Sequence, residues 1–130
     1  MFRISALLVA LAPLPVMAQA PTCSMDGTQA EMSQCAGDDL AAADAALNTA
    51  YEGAMGRLRD VDAGLDEALR GGADALRRAQ RAWITYRDEG CAAEAWINAG
   101  GSIQPMVEAQ CRTRITESRT RDLEEIARPM

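Results

Sequence analysis

Few residues in this chain can do covalent or acid–base chemistry. There is no histidine, and all 13 basic residues are arginine. That excludes serine-triad and cysteine–histidine catalysis, imidazole zinc ligation and a histidine pH switch. A Schiff-base lysine and a phosphate-loop lysine are excluded as well. Two carboxylate pairs, Asp38-Asp39 and Asp88-Glu89, are adjacent in sequence. On a helix such neighbours diverge by about 100°, so neither pair converges on one proton as general acid–base work requires. Asp26-Gly27 lacks the alternating oxygen ligands of a calcium-binding loop. The residues predict a protein that is not an enzyme and carries no metal or cofactor.

The remaining reactive groups are Cys23, Cys35, Cys91 and Cys111. Their spacing forms no Cys-x-x-Cys knuckle, and the N-terminus reads as an export signal, so four cysteines read as two disulfides. In that signal Arg3 precedes the apolar run 4–12, which is too short to span a bilayer. Pro13 and Pro15 end it, and Val16-Met17-Ala18 offers small residues for cleavage after Ala18. Residues 1–18 are thus expected to be removed, leaving 19–130 as a single domain, periplasmic or secreted. Ala20-Pro21-Thr22 before Cys23 is not a lipid-attachment pattern.

Charge is unevenly spread. The chain carries 19 acids for a net −6, and loss of Arg3 makes it −7. Such an excess argues against binding a nucleic-acid backbone. Residues 19–56 hold six acids and no base, whereas residues 57–87 hold seven arginines and five acids. The first half of the mature chain therefore presents a negative surface, Asp38 and Asp39 included, suited to solvation or to steering a basic partner.

The elements that must position these groups are helices. Thr28-Gln29-Ala30-Glu31 is a capping box. After it Met32, Ala36, Leu40, Ala43, Leu47, Tyr51, Ala54 and Leu58 recur at steps of three and four, predicting a helix over 29–61. Asp62-Ala63-Gly64 and Gly71-Gly72 bracket a connector with one helical turn around Leu65 to Leu69. A second helix is predicted over 73–98, with Leu76, Ala79, Trp83, Tyr86, Gly90 and Ile97 facing inward. Gly100-Gly101-Ser102 stops it, and Pro105 opens a third helix over 105–127, with Val107, Cys111, Ile115 and Ile126 inward. Strand signals are weak. The expected fold is all-α, a small monomeric antiparallel three-helix bundle stapled by two disulfides.

The hairpin of helices two and three suggests one bridge. Its turn centres on residues 100–101, so Cys91 and Cys111 come level. Cys35 and Cys91 are offset by about eight residues, or ~12 Å along a helix, too far for a bridge. Cys23–Cys35 is then the second disulfide.

Several polar residues fall inside the apolar arcs. Arg87 lies near Leu76 and Trp83, with Gln80 and Glu94 at spacings of seven. Asp44 and Asn48 flank Leu47, and Arg119 flanks Ile115. Because buried charge is costly unless paired, these six residues predict a polar network that sets the bundle register or builds a ligand pocket. Trp96 points away from the core arc. It either packs under the glycine turn or stands exposed as a binding anchor.

The runs Gln29-x-x-Met32-x-x-Cys35, Ala43-Asp44-x-x-Leu47-Asn48-x-x-Tyr51 and Ala79-Gln80-Arg81-Ala82-Trp83-Ile84-x-Tyr86-Arg87-Asp88-x-x-Cys91 resemble the N-terminal domain of LprI-like lysozyme inhibitors. Gly100-Gly101-Ser102-Ile103-x-Pro105-Met106, Cys111 and Thr116-Glu117-x-Arg119-Thr120-x-x-Leu123 continue the likeness, in order, over nearly all of 23–123. The resemblance implies a small exported helical domain and, for the naming member, inhibition of lysozyme. The chain departs from that pattern in lacking the lipid attachment and in having Gln104 where many members carry an aromatic. Two functions follow as expectations. One is non-covalent inhibition of lysozyme or another basic cell-wall hydrolase, with Asp38, Asp39, Trp96, Ser102 and Gln104 as candidate contacts. The other is a periplasmic structural or envelope-stress module with no enzyme target.

Overall fold

The computed structural model describes residues 24 and 26–129, and among these it is all-helical. The proposed signal, residues 1–18, and Cys23 lie outside the described residues. Helix α1 spans Gln29–Ala63, α2 Gly72–Ala95 and α3 Gln104–Ala127. Short 3-10 turns occupy Glu67–Leu69 and Trp96–Asn98.

The capping box starts α1. Thr28 Oγ1 accepts from the Glu31 backbone N–H, and the Glu31 carboxylate accepts from the Thr28 N–H at 2.7 Å. These bonds hold the Glu31 carboxyl below its ordinary range, the Thr28 backbone N–H contributing most. From there α1 runs 35 residues, about 52 Å at 1.5 Å per residue. Alanines 36, 43 and 50 recur every seven residues and are buried. So small a stripe lets another helix approach closely in near-parallel packing, and α3 takes that place.

At one end the Gln29 amide reaches Met106 Sδ, and at the other Gly53 lies against Ala127, so α1 and α3 run parallel. Helix α2 runs antiparallel to both, placing Gly72 against Leu58 of α1 and Cys91 against Cys111 of α3. The core joins Leu47, Ala50, Ala54 and Met55 of α1 to Ala73 and Leu76 of α2 and Leu123 of α3, with Tyr51, Leu58, Trp83 and Ile126 packed at its edge.

Three features differ from the sequence expectation. First, α2 ends at Ala95, and Trp96–Asn98 tighten into a 3-10 turn. Second, the inward arc of α2 is Ala73, Leu76, Gln80, Cys91 and Ala95, with Arg87 close to buried, while Ala79, Tyr86, Gly90 and Ile97 face solvent. Counting only apolar residues tilts the arc towards Tyr86, because its true midline is polar. Third, Asp62 caps α2 from the end of α1. Its carboxylate accepts backbone N–H bonds from Gly71, Gly72 and Ala73 at 3.0–3.1 Å, satisfying orphan donors of the first turn. Gly71 bends the chain into this cap with φ of 143°, a conformation that L side chains rarely adopt.

Candidate functional site

Arg87 is the hub of the interior polar cluster. Its side chain is only 11% exposed. It donates to Asp44 Oδ1 at 2.7 Å, to Thr116 Oγ1 at 2.9 Å and to Asp88 Oδ1 at 2.9 Å. Its guanidinium carbon also lies 5.0 Å from the Trp83 ring centroid, within cation–π range. One residue thus ties all three helices together, with Asp44 on α1, Thr116 on α3 and Asp88 beside it on α2. A second bond, Arg119 Nε to Gln80 Oε1 at 3.1 Å, links α3 to α2 one level further along.

The predicted network is therefore present in part. Asp44, Arg87, Gln80 and Arg119 are engaged in interhelical bonds. Glu94 is not a member, because it pairs with Arg114 at 3.0 Å on the exposed surface. The next residue, Ala95, is the one on the buried face at this level, and Glu94 itself is exposed. Asn48 is exposed and makes no bond to the network among the described residues. Two further members are Asp88, which the sequence offers only as half of an adjacent carboxylate pair, and Thr116. The second was legible in principle, since a Cys91–Cys111 bridge brings residue 87 level with 115–116.

Beside this hub, α1 and α2 enclose an open groove of about 540 Å³. Asp44, Asn48 and Tyr51 form its α1 wall, and Arg77, Arg81, Trp83 and Arg87 form its α2 wall. Its lining mixes arginine with aromatic surface, and it holds no pair of converging carboxylates.

The second site is the tip of the α2–α3 hairpin. Cys91–Cys111 staples the hairpin, with Cα atoms 5.5 Å apart. No described cysteine is a free thiol, and the proposed partner of Cys35, Cys23, lies outside the described residues. Beyond the staple, Trp96 is 71% exposed and Ile97 87% exposed, with Ile103 also open to solvent. Trp96 does not pack under the glycine turn. Gly100, with φ of 79°, reverses the chain, and its N–H is held by Gln104 Oε1 at 3.1 Å. Gln104 is thereby committed to fixing the turn rather than to reaching a partner, while Ser102 is exposed.

The start of α1 lies at this same end, because Gln29 touches Met106. Asp26 and Asp38 are exposed there. Asp39 is half-buried and borders a small recess with Gln110 and Arg114 of α3, so it belongs to the helix interface more than to the free acidic face. Among the described residues no helix is long and apolar enough to cross a membrane.

A curated protein from Rhizobium meliloti (strain 1021), uncharacterized protein R02472, is 36% identical over 126 residues, covering 95% of this chain and 91% of that protein. No solved structure matches the chain. The family model described as lysozyme inhibitor LprI matches residues 20–123, a span that takes in α1, α2, most of α3, the stapled hairpin and the Arg87 hub. The chain belongs to the LprI lysozyme inhibitor family.

Proposed function

We propose that this chain is an exported protein that binds a basic cell-wall hydrolase of the lysozyme type and blocks it without covalent chemistry. The observation that carries the proposal is the hairpin tip. An exposed tryptophan and an exposed isoleucine occupy consecutive positions of a turn clamped by a disulfide and by the Gln104–Gly100 bond. Large exposed apolar residues on a rigid projection are the residue types and geometry of a binding anchor. Rigidity matters because little conformational freedom is then lost on association.

Electrostatics support the same reading. A net charge of −6 with no lysine, and exposed acids of α1 at the tip's end of the bundle, would draw in a basic enzyme and raise the encounter rate. Export through the segment 1–18 is part of the proposal, and a disulfide-stapled fold suits an oxidising compartment.

The test is a clearing assay. Lysozyme is mixed with residues 19–130 and added to a turbid cell-wall suspension. The expected result is dose-dependent slowing of clearing. Unchanged clearing at every dose, with no binding at low salt, would leave the envelope-module reading in its place.

A further inference from the structure

The groove between α1 and α2 is separate from the hairpin tip, and its chemistry points to a different ligand. The chain is acidic overall, yet residues 57–87 carry seven arginines against five acids, and three of those arginines line this groove. Their commitments differ. Arg87 is neutralised by Asp44 and Asp88. Arg77 is paired with Asp74, which lies outside the groove lining. Arg81 forms no ion pair among the described residues. One uncommitted guanidinium therefore faces a concave surface.

The rest of the lining is suited to a flat ring. Trp83 is half-buried, held by Arg87 against it, and Tyr51 stands on the facing helix. Across from Arg81, the Asn48 side chain makes no hydrogen bond among the described residues and can both donate and accept. A volume of about 540 Å³ lies within the range of small-molecule sites.

We propose that the α1–α2 groove binds a small organic anion, a single carboxylate attached to a flat ring. Arg81 takes the carboxylate in a forked pair of hydrogen bonds, Trp83 and Tyr51 cover the ring, and Asn48 reads a polar substituent on it. The inference does not rest on lysozyme inhibition and stands or falls separately. An aromatic acid offers a flat ring, and a pyranose acid offers the apolar C–H face of its chair to the same two aromatic side chains, so both can present a ring face beside a carboxylate.

Two anionic probes separate these sources, glucuronate and benzoate, with glucose and benzyl alcohol as uncharged counterparts. The protein is residues 19–130 with Trp96→Phe, so that Trp83 gives the one indole N–H signal in a proton–nitrogen spectrum. Titration with at least one anion should move that signal saturably at millimolar concentration, and the uncharged counterparts should not. Whichever anion binds more tightly identifies the ring. Arg81→Gln should weaken binding at least about tenfold, the value of one charge-assisted contact. Arg78→Gln, on the same helix but outside the lining, should leave it unchanged, and both variants should keep the wild-type helical signal. The proposal is overturned if neither anion moves the indole signal, if the uncharged compounds move it equally, or if Arg81→Gln binds as wild type does.

Discussion

Replacing Arg87 with alanine removes a side chain that bonds to α1, α2 and α3 at once. Three hydrogen bonds of 2.7–2.9 Å are lost, two of them to carboxylates. Breaking a fully buried ion pair costs about 3–5 kcal/mol. Asp44 and Asp88, however, are 42% and 37% exposed, so water rehydrates both when the guanidinium leaves, and the Coulomb part is discounted accordingly. Thr116 is fully buried and its hydroxyl recovers nothing from water, which adds about 1 kcal/mol. The arginine stem also leaves the Trp83 face. Together these put the loss at about 3 kcal/mol. With a urea slope of about 1.5 kcal/mol/M for a domain this size, the midpoint should fall by about 2 M. Arg78→Ala, at an exposed site on the same helix, should move it by less than a quarter of that. Arg87→Lys keeps the charge but loses the fork, and should fall between the two. Equal midpoints for Arg87→Ala and Arg78→Ala would refute the account of Arg87 as the hub of the bundle.

Reducing Cys91–Cys111, which closes a 20-residue separation, should destabilise the domain by about 3 kcal/mol; peptide mapping of the unreduced protein should recover this pair and a Cys23–Cys35 pair, with no titratable thiol. Asp62 is held below its ordinary value of 3.8 mainly by the backbone N–H groups of Ala73, Gly72 and Gly71. A depressed folded pKa means that its stabilisation is present above the unfolded value and is lost as pH falls below it through the folded value. Melting temperature should therefore fall with acid in that window, and Asp62→Asn should be lower at neutral pH and flatter across the same window. If wild type and Asp62→Asn show parallel acid profiles, the cap contributes nothing. Reversing Asp26 and Asp38 to arginine should slow association with lysozyme and flatten its salt dependence, read by surface-based kinetics, with little change in dissociation.

The sequence showed most clearly what depends on local chemistry or fixed spacing. The capping box placed the start of α1 at the residue where it begins, and the apolar stripe at steps of three and four marked its inner face, on which Ala36, Ala43, Leu47 and Ala54 are buried. The near-equal distances of Cys91 and Cys111 from the glycine turn gave the bridge. The Asp44–Arg87 pair followed because a charge on an apolar arc needs a partner. What remained hidden depended on how the ends of helices meet. Asp62 reaches α2 across a connector whose path no periodicity encodes. Ile97 left the expected inward face because the last turn tightens from about 100° to about 120° per residue, while Trp96 stays off the core arc as its position predicted. Glu94 sits at the right spacing from Arg87, but at a level where it pairs with the exposed Arg114. The groove was invisible in outline, although the notion of a pocket built on Asp44, Asn48, Gln80 and Arg87 named four of its lining residues.

The clearing assay run with wild-type protein beside a tip variant, Trp96→Ser with Ile97→Ser, tests the central claim most directly. Both substitutions lie on exposed positions past the end of α2, so the helical signal and the urea midpoint should be unchanged. The account predicts that wild-type protein slows lysozyme-driven clearing and that the variant has lost most of that effect. Wild-type protein that leaves clearing untouched, or a folded tip variant that inhibits as strongly as wild type, would contradict it.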